Sequence, residues 1–178
     1  MTDADPDRTD TDTDTDTDRD TDRDRDRRSD GRPRNARPRD ALGRPLPRSA
    51  GPAAAEDAPA AVLSPLEAVA RADELLRARR PFHAHEVLED AWKQGPPAER
   101  DLWQGLAQIA VGLTHAHRGN ARGAVSLLTR GAQRAGSYRG DTYGIDLPAV
   151  LSRATTLADT IERDGLDGAD LDLVARLR

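Results

Sequence analysis

From residue 61 onward the apolar positions of this chain recur at intervals of three and four, and Leu, Ala and Val fill almost all of them. That interval belongs to one face of a helix; the alternation at two that a half-buried strand needs is nowhere sustained. Residue choice points the same way. The whole chain holds one Phe, two Trp and two Tyr, so a β-core built on aromatics is out of reach, whereas Ala and Leu are strong helix formers. A segment of this length buries roughly two thirds of its unfolded surface without staples. The expected fold class is therefore all-α: a bundle of five to six helices or stacked helical hairpins, forming a single domain over residues 61–178.

Cap signals set the helix boundaries. Ser64-Pro65-Leu66-Glu67 reads as an N-cap, a proline at the first helical position and a capping-box glutamate. That helix is expected to reach about Arg80, with Val69, Ala72, Leu75 and Leu76 inward. Pro81 opens a second helix that ends at Gly95-Pro96-Pro97, and a third runs from about Ala98 to Arg118. Gly119 supplies the left-handed stop and Asn120 the next N-cap. A fourth helix covers about Ala121 to Ala135, a loop follows to Asp146, and a fifth spans about Pro148 to Arg163. Leu171, Leu173, Val174 and Leu177 predict a short, frayed last helix. Connections this short favour antiparallel neighbours.

Residues 1–60 are of another kind. They carry 16 acidic and 12 basic side chains, which accounts for −4 of the chain's net −5. Thr-Asp alternation from Thr9 to Asp18 gives way to Asp-Arg pairs and then to a stretch rich in Pro, Arg and Ala. With no apolar face to bury, nothing offsets a backbone ordering cost of about 1–2 kcal/mol per residue. A disordered tail is expected. Its arginines (Arg25, Arg27, Arg28, Arg32, Arg34, Arg37, Arg39) are interleaved with aspartates that repel the same phosphates, so nucleic acid is not the expected partner. The absence of a leader-like apolar stretch or a membrane-length run leads to the expectation of a cytoplasmic protein. Zero cysteines exclude disulfides and thiolate metal sites.

The stretch Phe82 to Trp92 carries the chemistry. At 100° per residue, Ala84, Val87, Leu88, Ala91 and Trp92 form an apolar arc. His85 and Glu89 stand on its margin beside Trp92, Glu86 points to the wet side, and His83 falls on the other margin. A histidine and a carboxylate at such a margin are costly to bury without partners. Their i,i+4 spacing allows them to bond each other, either as a structural pair or with Glu89 orienting His85 as a base or ligand. On the third helix Leu102, Trp103, Leu106, Ile109, Ala110 and Leu113 make the core face. Gln104, Gln108 and His115 form a second stripe beside Gly105 and Gly112. Each interior helical glycine costs about 1 kcal/mol, which the close approach of another helix or of a ligand recovers.

These blocks together resemble a known bacterial family. The pattern His85-Glu86-Val87-Leu88-Glu89 with Trp92, then Gln104-Gly105-Leu106-Ala107-Gln108, then His115 with Arg118-Gly119-Asn120 and Gly123-Ala124, and finally Gly144-Ile145-Asp146-Leu147, is similar to the domain of unknown function 309. The resemblance covers about residues 67–160 and implies a small helical fold. It implies no assigned activity.

The functional expectation is a non-enzymatic binding or interaction module with a polar groove between the second and third helices. Its candidate residues are His85, Glu86, Glu89, Trp92, Gln104, Gln108, His115 and Asn120, for a small ligand or a protein partner, with a homodimer also open and no cofactor expected. The alternative is a metal-assisted enzyme of hydrolase type using His85, Glu89 and His115. Against it, His83/His85 and His115/His117 each straddle two sides of a helix, and His-Glu-X-X-Glu lacks the second histidine of zinc proteases. No nucleophile elbow or phosphate-cradling glycine loop is present either.

Overall fold

The computed structural model describes residues 40, 42–46, 62–174 and 176–178. The expected disordered tail and its arginines therefore lie outside the described residues, except for residues 40 and 42–46. Five α-helices make up the described domain: α1 (Pro65–Arg77), α2 (Pro81–Gln94), α3 (Arg100–His117), α4 (Ala121–Gly136) and α5 (Leu147–Asp164). Two 3-10 turns, Pro97–Glu99 and Leu171–Val174, complete it. No helix among the described residues is long and apolar enough to cross a membrane.

The caps behave as their residue types require. Ser64 and Glu67 form the reciprocal capping box that opens α1, with the Ser64 amide donating to Glu67 Oε2 at 2.8 Å. Asn120 Oδ1 takes the Gly123 amide at 2.9 Å and opens α4, and Asp146 caps α5. At the end of α3, Gly119 takes φ +79° while the Asn120 amide reaches back to the His115 carbonyl at 2.9 Å. This left-handed closure satisfies carbonyls that the helix end leaves open. The same closure ends α1 earlier than the expected Arg80. There Arg79 stands at φ +55° and the Arg80 amide donates to the Leu75 carbonyl at 2.9 Å. Pro81 then forbids continuation. The expected start of the third helix near Ala98 is a 3-10 turn, and α3 proper begins at Arg100.

Each helix packs on the next one in sequence, with the α3–α4 contact the most extensive. Trp103, 1% exposed, is the largest fully buried side chain, and Leu102, Leu106, Ile109, Ala110 and Leu113 join it in the core as their face predicted. Each such leucine contributes about 1.5–3 kcal/mol by leaving water. The two glycines of α3 serve helix contact: a Cβ on Gly105 would meet the Ala135 amide nitrogen of α4 at 2.5 Å, and one on Gly112 would meet Leu128 Cγ at 2.9 Å.

The C-terminal end is tied down where fraying was expected. Asp73 of α1, 7% exposed, accepts the Leu177 amide at 2.6 Å and the Arg77 Nε–H at 2.8 Å. The Leu177 carbonyl accepts the Asp146 amide at 3.0 Å, and the Arg176 carbonyl accepts from Arg153 at 2.8 Å. Val174 and Leu177 are buried beneath this clasp. A buried carboxylate 104 positions upstream holds what the local sequence could not.

Candidate functional site

The second helix places its polar margin as the wheel indicated. His85 Nε2 lies 3.8 Å from Glu89 Oε2, and Lys93 Nζ lies 3.2 Å from Glu89 Oε1, a ladder of side chains one turn apart. At 3.8 Å the His85–Glu89 contact is electrostatic rather than a hydrogen bond. The Phe82 ring leans on His85 with centroids 6.1 Å apart and on His83, edge to face, at 5.6 Å. Burial against these neighbours pushes the His85 pKa below its ordinary value, with Glu89 pulling the other way. At neutral pH the imidazole is neutral, with one nitrogen donating and the other accepting.

His85 Nδ1 is buried and meets no hydrogen-bond partner among the described residues, and the same holds for Gln108 Oε1 on α3. Gln108 shares its side of α3 with Gln104 and His115, which bond to Arg134 of α4 and to its cap Asn120. Trp92 is half-buried and packs on the outside of the core. Glu86 is half-buried rather than fully on the wet side.

The rest of the expected groove is used elsewhere. Gln104 Oε1 accepts from Arg134 of α4 at 2.6 Å, and the same guanidinium lies 3.3 Å from Asp101. His115 Nδ1 and Asn120 Nδ2 are 2.7 Å apart at the α3–α4 corner. Packing of α4 into the glycine notch draws Gln104, His115 and Asn120 into that interface. The structure thus brings together His85 and Glu89 on α2 and assigns Gln104, His115 and Asn120 to the α3–α4 contact, with Gln108 on the same stripe of α3 as Gln104 and His115. No group of three His, Asp or Glu side chains that could hold a metal ion occurs among the described residues, so His85, Glu89 and His115 are not gathered as ligands.

Two arrangements escaped the sequence. His83 is buried, although it was placed on the margin. Glu99 accepts the Trp103 indole N–H at 2.8 Å and the Tyr143 hydroxyl at 2.5 Å, while Tyr143 stacks on Trp103 with centroids 5.7 Å apart. The Glu99–Trp103 spacing of four was a legible signal; Tyr143, in a loop 44 positions away, was not. The hydrogen bond to Glu99 raises the Tyr143 pKa to about 12. Tyr143 also takes a left-handed φ of +53°, a conformation that non-glycine residues rarely adopt.

Fold and seam together define a small all-α array of five packed helices with a half-buried histidine–carboxylate margin. Residues 69–127, from α1 into α4, match the family described as "Domain of unknown function (DUF309)", which bears out the resemblance carried by the His85–Trp92 and Gln104–Gln108 blocks. The chain is also 33% identical over 84 residues to "Uncharacterized protein YpuF" of Bacillus subtilis (strain 168). That match covers 46% of this chain and 48% of the relative, so the chain spans about half the length of the relative it matches. No solved structure matches.

Proposed function

We propose that the domain is a non-enzymatic binding module whose ligand seats at the seam between α2 and α3, held at the His85–Glu89 margin of α2. One observation supports this reading: His85 Nδ1 is buried with no partner among the described residues. A buried unsatisfied acceptor costs about 1–3 kcal/mol, so this atom asks for a group that satisfies it. Glu89 beside Nε2 favours the tautomer with its proton there, which leaves Nδ1 as an acceptor. The free position is then an acceptor, and the fitting ligand group is a donor: a primary amide, an ammonium or a guanidinium. Glu89, partly open to solvent, favours the charged donors.

The test follows the His85 ring nitrogens of the full chain by long-range nitrogen–proton NMR while acetamide, methylammonium and methylguanidinium are added in turn. A saturable shift at Nδ1, strongest for the charged probes and weakened for them in Glu89→Gln, is the expected result. If none of the three probes moves Nδ1, or if the charged probes shift it equally in Glu89→Gln, the seam is not the site.

A further inference from the structure

Residues 40 and 42–46 lie far upstream of α1, yet they are seated on the folded domain. Asp40 organises them locally: its Oδ1 accepts the amides of Leu42 at 2.9 Å and Arg44 at 2.8 Å. Its backbone closes the turn, the Gly43 amide donating to the Asp40 carbonyl at 2.8 Å and the Asp40 amide to the Arg44 carbonyl at 3.0 Å. A turn knit by its own side chain loses less entropy on docking than a free coil does.

Contacts on two sides seat it on the domain. Gly43 is buried with its backbone against the Phe82 ring, so closely that a Cβ at this position would run into the ring carbons. Its φ of +73° is the left-handed conformation that glycine adopts without strain. On the other side, the Arg118 guanidinium at the end of α3 donates to the Leu42 carbonyl. The turn therefore bridges the start of α2 and the end of α3. Phe82 is also the residue that leans on His85.

We propose that the Phe82–Arg118 surface is a docking site for this Asp-X-Leu-Gly-Arg-Pro turn of the same chain, which binds in cis as a strap and closes one end of the α2–α3 seam. The specificity is geometric. Only glycine fits at position 43 because of both its φ and the ring beneath it, the aspartate three residues earlier folds the turn, and a guanidinium receives the carbonyl between them. The docking stands independently of what the seam binds; only the closing of the seam rests on the function proposed above.

The experiment uses the full chain and a synthetic peptide of residues 38–48. The chain has a single Phe, so labelled phenylalanine reports Phe82 alone. Ring-to-Gly43 Hα Overhauser contacts are expected in the unaltered protein and lost in Gly43→Val, with Arg118→Gln as a second way to loosen the strap. The peptide should then bind Gly43→Val at least about tenfold more tightly than the unaltered protein, because an occupied site lowers apparent affinity by the fraction that is free. Binding should shift the Phe82 ring signals and disappear when Phe82→Ala is added. Equal affinity for the unaltered and Gly43→Val proteins, or binding that leaves the Phe82 ring unmoved, would overturn the proposal. So would failure of the peptide to bind Gly43→Val at about 10 mM, since short tethers act at millimolar effective concentration. Fragment shifts at His85 are measured separately, so loss of the strap and loss of the seam site are told apart.

Discussion

Gly105 and Gly131 stand back to back where α3 crosses α4: a Cβ on Gly105 would lie 2.8 Å from the Gly131 carbonyl oxygen, and one on Gly131 would lie 2.7 Å from the Gly105 carbonyl oxygen. Backbone meets backbone at this point, so neither helix can yield by turning a side chain. This crossing recovers the cost of a helical glycine. It also explains why the polar stripe of α3 is drawn toward α4.

Alanine at either position should therefore destabilise the domain although it favours the isolated helix. Gly105→Ala and Gly131→Ala are each expected to cost about 2–3 kcal/mol in urea melts, since overpacking outweighs a propensity gain of about 1 kcal/mol. Gly136→Ala is the control. Its Cβ would meet Leu151 Cδ1 at 3.4 Å, an ordinary contact with a side chain that can shift, so its cost should be smaller. Equal costs at all three positions would sink the backbone-contact explanation.

The two tryptophans should separate cleanly. Trp103 is 1% exposed and bonded through its indole to Glu99, whereas Trp92 is half-buried at the edge of the core. Trp103→Ala should cost about 3–5 kcal/mol and Trp92→Ala about 1–2 kcal/mol, in proportion to the area each leaves behind. A larger loss for Trp92 in the same melts would contradict the burial described above.

Asp73 should govern the C-terminal end. Asp73→Ala removes the acceptor of the buried Leu177 amide and leaves that donor unsatisfied, for a cost of about 2–4 kcal/mol. Hydrogen exchange should rise first at residues 171–178 and leave α3 protected. Uniform loss of protection would mean that the clasp and the core unfold as one unit.

Acid should weaken the fold through histidine. Burial depresses the pKa of His85 and of His117 below the ordinary 6.5, so both resist protonation in the folded state. The unfolded chain binds more protons between the folded and ordinary values, and stability rises with pH across that window. The stabilisation is complete above about pH 6.5 and is lost as pH falls through the folded values. Melting temperature should decline from pH 7 toward pH 5, and less steeply in His85→Gln. An unchanged slope would exclude His85 as a contributor.

At the alkaline end Tyr143 should titrate late. Its pKa of about 12 comes first from its bond to Glu99, so Glu99→Gln should bring the phenol back toward the ordinary 10. The raised folded value stabilises the fold below pH 10, and that contribution is lost as pH approaches 12. Ultraviolet titration of the two tyrosines checks this, with Tyr143→Phe identifying which phenol moved.

The sequence by itself determined the all-helical class, the helix order and most boundaries. These follow from local signals: the period of the apolar residues, Pro65 and Pro81 at helix starts, Gly119 at a helix end, and Ser64 and Asn120 as caps. Each acts within about one turn of chain, so no distant partner is needed to read it. The His85–Glu89 margin was legible for the same reason, since both residues stand on one helix. What only the tertiary structure decided was pairing across the chain. Whether the notch at Gly105 admits a ligand or a helix depended on Gly131 and Ala135, and whether Gln104 and His115 line a groove or an interface depended on the approach of α4. Asp73 with Leu177, Glu99 with Tyr143, and Gly43 with Phe82 join residues tens of positions apart. No local pattern encodes such contacts, because each depends on where the packed backbones bring the two groups.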